Sequence, residues 1–146
     1  MKIKIAWIGK TKEPAIQSLT DEYLKRLTRY AQVEGAALKD ESALLNLCNN
    51  RAQTKPYLIL LDATGKQFSS VELAKFLDAH QQRSSQPLLF AIGPADGFTP
   101  AARQAANHML SLGKMTLAHE LARVVLLEQL YRAFTILQGH PYHTGH

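Results

Sequence analysis

Two runs, Tyr57–Leu61 and Leu88–Ile92, are apolar without a break and stop abruptly at turn-forming sequences, Asp62-Ala63-Thr64-Gly65 and Gly93-Pro94-Ala95-Asp96-Gly97. A strand with one wet face alternates apolar and polar residues, whereas one that is apolar throughout is covered on both sides. Both runs therefore read as interior strands of a parallel sheet with helices on both faces. Parallel neighbours also require crossovers that are usually helical.

The flanking sequence supplies those elements. Residues 2–8 read as a strand running into a turn at Gly9, and Ile16, Leu19, Tyr23, Leu24, Leu27 and Tyr30 recur at the spacing of one helical stripe. A weak strand is expected over 32–38 and a short helix around Ala43–Cys48. Ser69 with Glu72 three residues on forms a capping box opening a helix to about Gln82. A short helix over 101–108 has Pro100 at its first turn. A short strand lies near Leu110–Thr116, then a long helix from about Glu120 to Leu137, stopped by Gly139 and Pro141. There is no linker or repeat, so residues 1–146 form one domain.

Composition narrows the class. Hydrophobic residues are 46% and charged residues 20% of the 146, as in globular proteins. No apolar stretch approaches the ~20 residues of a membrane span. The start, MKIKIAWIGK, has no signal-peptide block, and Cys48 is the single cysteine. The expectation is a soluble cytoplasmic protein without a membrane partner. Net charge is +5, with seven bases against three acids in residues 1–30, which suits a polyanionic partner without identifying one.

Several chemistries lack their residues. The eight glycines contain no G-x-G pair and no P-loop, and there is no G-x-S-x-G elbow. His140 and His143 are separated by Pro141 with no nearby carboxylate, so no metal is expected. Ligands in parallel α/β folds bind where strands end. That directs attention to Asp62–Gly65, Gly93–Gly97 and Leu112–Leu117. The Gly93–Gly97 loop is either a turn needing positive φ or a place where backbone approaches a ligand closely. Arg123 and Arg132 read by default as solvated surface. Glu128, flanked by Val124, Val125, Leu127 and Leu130, is either marginal or paired across a contact. His119 either opens the last helix or is buried beside a ligand. The tail HPYHTGH is either frayed or, through Tyr142 and His143, part of a base-stacking or proton-transfer site.

The segments IGPADGFTP and LSLGKMTLAHELARVVLLEQLYRAFTILQGHPYH, together with MKIKIAWIGK and LLDATGK, resemble the ribosomal RNA large subunit methyltransferase H family of the SPOUT superfamily. The resemblance is strongest over 57–146 and weakest over 31–56. It implies a C-terminal deep trefoil knot, a homodimer, S-adenosylmethionine as methyl donor without a metal, and methylation of N3 of a pseudouridine in 23S rRNA of assembled ribosomes. Position by position, it implies a cofactor site at Leu61, Gly93, Leu112, Gly113, Lys114, Met115, Thr116 and Leu117. It places His119, Arg123, Tyr142 and His143 among the catalytic residues.

This chain departs from the pattern at Pro94, where members commonly carry a second glycine. Proline has no N–H to offer a ligand. A basic, glycine-containing stretch after the second strand is also missing, so Lys10, Lys12, Arg26 and Arg29 are the candidate RNA contacts. The alternatives are a SPOUT enzyme acting on tRNA and a non-catalytic dimeric RNA-binding protein that keeps the knot. Apolar residues on more than one face of the last helix point to a homodimer built on it.

Overall fold

The computed structural model describes residues 1–144, apart from the side chain of His143. Five strands form one wholly parallel sheet: β1 (Lys2–Ile8), β2 (Gln32–Leu38), β3 (Tyr57–Gln67), β4 (Leu88–Ile92) and β5 (His108–Ser111). Their spatial order is β2-β1-β4-β3-β5. The helices are α1 (Pro14–Leu27), α2 (Glu41–Asn49), α3 (Ser70–Arg83), α4 (Pro100–Ala105) and α5 (His119–Leu137), with a final 3-10 turn, Pro141–Thr144.

The two apolar runs behave as their composition dictates. All five residues of β4 are buried. Leu88, Phe90 and Ile92 pack with α1, α3 and α5 through Leu27, Leu73, Leu77, Leu126 and Leu130. Leu89 and Ala91 pack on the opposite face with Leu44 and Cys48 of α2 and Ala102 of α4. Burial drives the Cys48 thiol pKa up, as suits a packing residue. Helix starts follow local chemistry. Asp40 accepts the Ala43 amide at 2.9 Å, and Ser69 and Glu72 exchange both capping-box bonds, at 3.1 and 2.8 Å.

Three boundaries differ from expectation. Asp62–Gly65 does not end its strand: β3 continues to Gln67, and its ladder with β5 slips so that Leu61 and Lys66 both face Leu110. The Asp62 carboxylate accepts the Thr64 amide at 2.9 Å and its hydroxyl at 2.5 Å. The turn chemistry is thus spent on a bulge within the strand. β5 ends at Ser111, leaving 112–118 as connection, and α4 is shorter than expected. Helix α5 buries Val124, Leu126, Leu127, Leu130 and Phe134 within this chain. Its several apolar faces therefore do not by themselves require a second copy.

Candidate active site

The topology singles out one edge of the sheet. From β1 the chain crosses outward to β2, and from β4 it crosses the other way to β5, while β1 and β4 are neighbours. Crossovers that diverge in this way leave a crevice beyond the carboxyl ends of the two strands. The register aligns the strands at that edge. Trp7 faces Ile92, Leu60 faces Ala91 and Leu61 faces Leu110, so the ends of β1, β4 and β5 and the bulge of β3 lie near one row. Leu61, Gly93 and the 112–117 connection are thereby brought to the same rim.

Gly93 is buried, but its role is not a left-handed turn. Positive φ falls on Gly97 (+83°), whose amide bonds the Pro94 carbonyl at 2.9 Å. A Cβ added at Gly93 would come within 3.1 Å of the Phe98 ring. The glycine thus lets the loop close over Phe98. In the third loop Gly113 has φ +141° and open space where a Cβ would be. The Ser111 hydroxyl accepts the Gly113 amide and donates to its carbonyl. No backbone hydrogen bond among the described residues engages the amides of residues 114–117. Leu61, Leu112 and Leu117 are half-buried beside these unspent polar groups, and Met115 is 87% exposed. Apolar walls around a few open backbone donors and acceptors suit a flat heterocycle.

Helix α5 begins at His119, which is half-buried on this rim. Glu120 accepts the Lys12 amide at 2.6 Å, tying the β1–α1 loop to the first turn of α5. Arg123 contradicts the solvated reading: it is 1% exposed. Its guanidinium lies 4.0 Å from the Trp7 ring centroid, and Nη1 donates to the Thr11 hydroxyl at 2.7 Å. Nε is buried without a partner. Burial lowers its pKa, against a smaller upward pull from Glu120. In this arrangement Arg123 orders the β1–α1 loop rather than facing solvent.

Tyr142 lies elsewhere. Its hydroxyl donates to Glu128 at 3.2 Å and meets the Tyr23 hydroxyl at 3.3 Å. Its ring stands edge-on to Tyr131 at 4.7 Å. Glu128 follows His119 by nine positions, about 13 Å along the helix and half a turn around it. Within one chain, therefore, the structure unites His119 and Arg123 with the three loops and holds Tyr142 apart. His143 keeps its backbone in the final turn, but its side chain lies outside the described residues. Arg132 is no bare surface residue either: its Nε and Nη2 bond Glu128 at 3.0 and 2.5 Å.

Sequence reasoning gave no site role to Trp7, Thr11, Glu120 or Tyr23, whose contacts join segments far apart in the chain. It also missed His108, which stacks against Phe68 (5.5 Å) and Phe76 (5.3 Å) in a three-ring cluster, with Nε2 buried and unpartnered. Desolvation, then Lys66, lowers its pKa. An open groove of about 1540 Å³, lined by Met1, Gln32, Pro56, His80 and Pro87, lies at the opposite, amino-terminal edge of the strands. Among the described residues no group of three or more His, Cys, Asp or Glu side chains is arranged to hold a metal ion, and no helix is long and apolar enough to cross a membrane.

The family described as "Predicted SPOUT methyltransferase" matches residues 1–143. The protein named ribosomal RNA large subunit methyltransferase H in Koribacter versatilis (strain Ellin345) is 58% identical over 146 residues, covering all of both chains. The protein of that name in Gloeobacter violaceus is 41% identical over 158 residues, covering 99% of this chain and 100% of its own. Among solved structures, the tRNA (m1G37) methyltransferase of Aquifex aeolicus has a TM-score of 0.58 at 14% identity, over 90% of this chain and 70% of its own. A probable methylase family protein of Haemophilus influenzae Rd KW20 has a TM-score of 0.61 at 13% identity, over 95% and 69%. Those two share the fold alone. The parallel sheet, the rim of three loops and the full-length relatives agree: this chain belongs to the SPOUT methyltransferases, in the ribosomal RNA large subunit methyltransferase H family.

Proposed function

We propose that this chain is an S-adenosylmethionine-dependent methyltransferase of 23S rRNA, acting as a cytoplasmic homodimer on N3 of a pseudouridine in the assembled ribosome. The observation that carries the reading is 58% identity, end to end, with a protein named as a ribosomal RNA large subunit methyltransferase. The rim supports it. Unspent amides at 114–117 and the walls of Leu61, Leu112 and Leu117 are the donor set an adenine requires, and Gly93 and Gly113 keep side chains out of the way. S-adenosylmethionine supplies an electrophilic methyl on a sulfonium and needs no metal.

The protein's own task is to orient the acceptor and manage its proton. N3 of the base carries a proton that must leave, so a nearby base or donors to the developing anion assist. His119 sits on the rim for that task. Because Tyr142 is anchored at Glu128, which is half a turn around α5 and about 13 Å along it from His119, its contribution comes from a second copy. Arg26 near the end of α1 lies over Tyr131 of α5, and Arg29 follows in the turn after α1. Exposed apolar residues on the elements concerned, Leu19 on α1 and Leu121 on α5, fit such a contact. In this reading the implied knot holds the three loops together at the rim.

The test is methylation of ribosomes, free 23S rRNA and tRNA by the purified protein with labelled S-adenosylmethionine, followed by mass mapping of the product. Label confined to a pseudouridine of ribosomal 23S rRNA is the expected result. Label on tRNA would replace this reading with the tRNA one. A second reading, a non-catalytic RNA-binding dimer, is favoured only by Pro94, which has no amide to offer a ligand. Isothermal titration separates the two, since that protein need not bind S-adenosylmethionine.

A further inference from the structure

The carboxylate of Glu128 is the most heavily used polar group on α5. Oε1 accepts from Arg132 Nε and Nη2 and from the Tyr142 hydroxyl, while Oε2 accepts from Gln129 at 2.8 Å. Tyr142 is held from every side. With its one proton committed to Glu128, its oxygen accepts from Tyr23 of α1. Its ring lies edge-on to Tyr131, and the Arg132 guanidinium sits 5.0 Å from the ring centroid. A tail that merely frayed after Gly139 would have none of these contacts. Instead the chain doubles back by two turns to reach a carboxylate on the helix it has just left.

We propose that Glu128 is a positioning residue, which together with Tyr23 clamps Tyr142 and so fixes the direction in which the tail enters the active site. The inference rests on the methyltransferase reading for its effect on rate, but not for the clamp itself. Glu128 touches no reacting atom; it acts through Tyr142. A carboxylate serves here because it accepts from three side chains at once, Arg132, Gln129 and the Tyr142 phenol, so the group that holds Tyr142 is itself held in place. Tyr23 closes the arrangement from α1. The tail is thereby keyed to the α1–α5 pair, the same pair that carries Arg26.

Two measurements test it. The first ignores activity: tyrosine is labelled with ¹³C at Cζ in the full-length protein, and the Tyr142 resonance is assigned by its loss in Tyr142→Phe. Glu128→Ala should move it toward the free-tyrosine position, and Glu128→Gln, which keeps an acceptor oxygen, should move it less. The second is kinetic. Glu128→Ala and Tyr142→Phe should each lower kcat for methyl transfer to ribosomes by roughly 10- to 100-fold, with S-adenosylmethionine affinity within about twofold. The double variant should be no slower than the slower single, because both remove one device. Tyr142→Phe deletes only a hydroxyl, so its result does not depend on tolerance of the Glu128 change. An unmoved Tyr142 resonance in Glu128→Ala, or losses that multiply in the double variant, would overturn the proposal. A wild-type protein that methylates nothing would sink the methyltransferase reading, and the resonance would still decide the clamp.

Discussion

The Arg123 guanidinium stacks on Trp7 with its carbon 4.0 Å from the ring centroid, inside the protein. A buried cation left without its partner costs more than one removed together with it. Trp7→Leu should therefore destabilise by about 3 kcal/mol, joining lost packing to the lost cation–π contact. Adding Arg123→Met should recover part of that loss. Urea unfolding of both variants checks this, and equal losses would show that the stack contributes no coupling.

Glycine substitutions separate the two loops. Gly93→Val drives methyl groups into Phe98, so it tests packing as much as binding, and a loss of about 1–3 kcal/mol is expected from overpacking. Gly113→Ala meets no neighbour, but φ of +141° strains any side-chain-bearing residue. It should weaken S-adenosylmethionine binding at least about tenfold, ~1.4 kcal/mol, with the circular dichroism spectrum unchanged. Titration calorimetry returning wild-type affinity would remove the third loop from the site.

His108 gives a pH signature. Its folded-state pKa lies below its ordinary value because burial disfavours the charged ring. The unfolded chain then binds the proton more readily, so this contribution is complete above about pH 6.5 and is lost as pH falls from there toward the folded pKa. His108→Phe keeps an aromatic ring against Phe68 and Phe76 without a buried ring nitrogen. Its stability relative to wild type should be flat from pH 7.5 to about pH 6.5 and rise as pH falls from there to pH 5. A constant difference across that range would refute the assignment.

Tyr142 is expected to remain a donor. Burial first, then the Tyr23 hydrogen bond and the Glu128 charge, push its pKa well above the ordinary tyrosine value. Log kcat against pH for wild type and Tyr142→Phe should run parallel from pH 7 to 10. A basic limb present in wild type alone would make Tyr142 the proton acceptor. Truncation after Gly139 should abolish transfer to ribosomes while cofactor affinity stays within about tenfold.

RNA affinity should follow the exposed bases. Lys12→Glu and Arg29→Glu are each expected to weaken ribosome binding and reduce the slope of log affinity against log salt by about one. Arg26 is a poorer probe: it is paired with Glu22 at 2.9 Å and lies over Tyr23 and Tyr131. Filter binding over a salt series reads the slopes, and an unchanged slope would place Lys12 or Arg29 outside the RNA interface.

The sheet was legible where a single segment is informative without its neighbours. The unbroken apolar run of β4 states that both faces are covered, and Ser69 with Glu72 states where a helix opens. Register is different, because it is a property of pairs of strands. Asp62-Ala63-Thr64-Gly65 has every mark of a terminating turn, and only its β5 partner shows that the strand resumes. Arg123 misled for the same reason. Charge argues for water, and only the tertiary placement of Trp7 and Thr11 makes burial tolerable. The loops proposed for the site were picked out because strand ends announce themselves locally, although Asp62–Gly65 is a bulge within β3. The Glu128–Tyr142 contact joins two points through a reversal of chain direction, which no spacing rule reports.

Helix α5 has one further consequence, for how this chain can change length. With the rim at its first residue and the tail's anchor at Glu128, nine positions of continuous helix set the offset between them. One inserted or deleted residue between Val124 and Leu127 would turn Glu128 by about 100° relative to His119 and shift it about 1.5 Å. The tail would then point to a different side of the molecule although Glu128, Tyr142 and His119 were all still present. Indels are therefore expected to be excluded from this stretch and tolerated in the exposed connection 50–55, which sets no such angle.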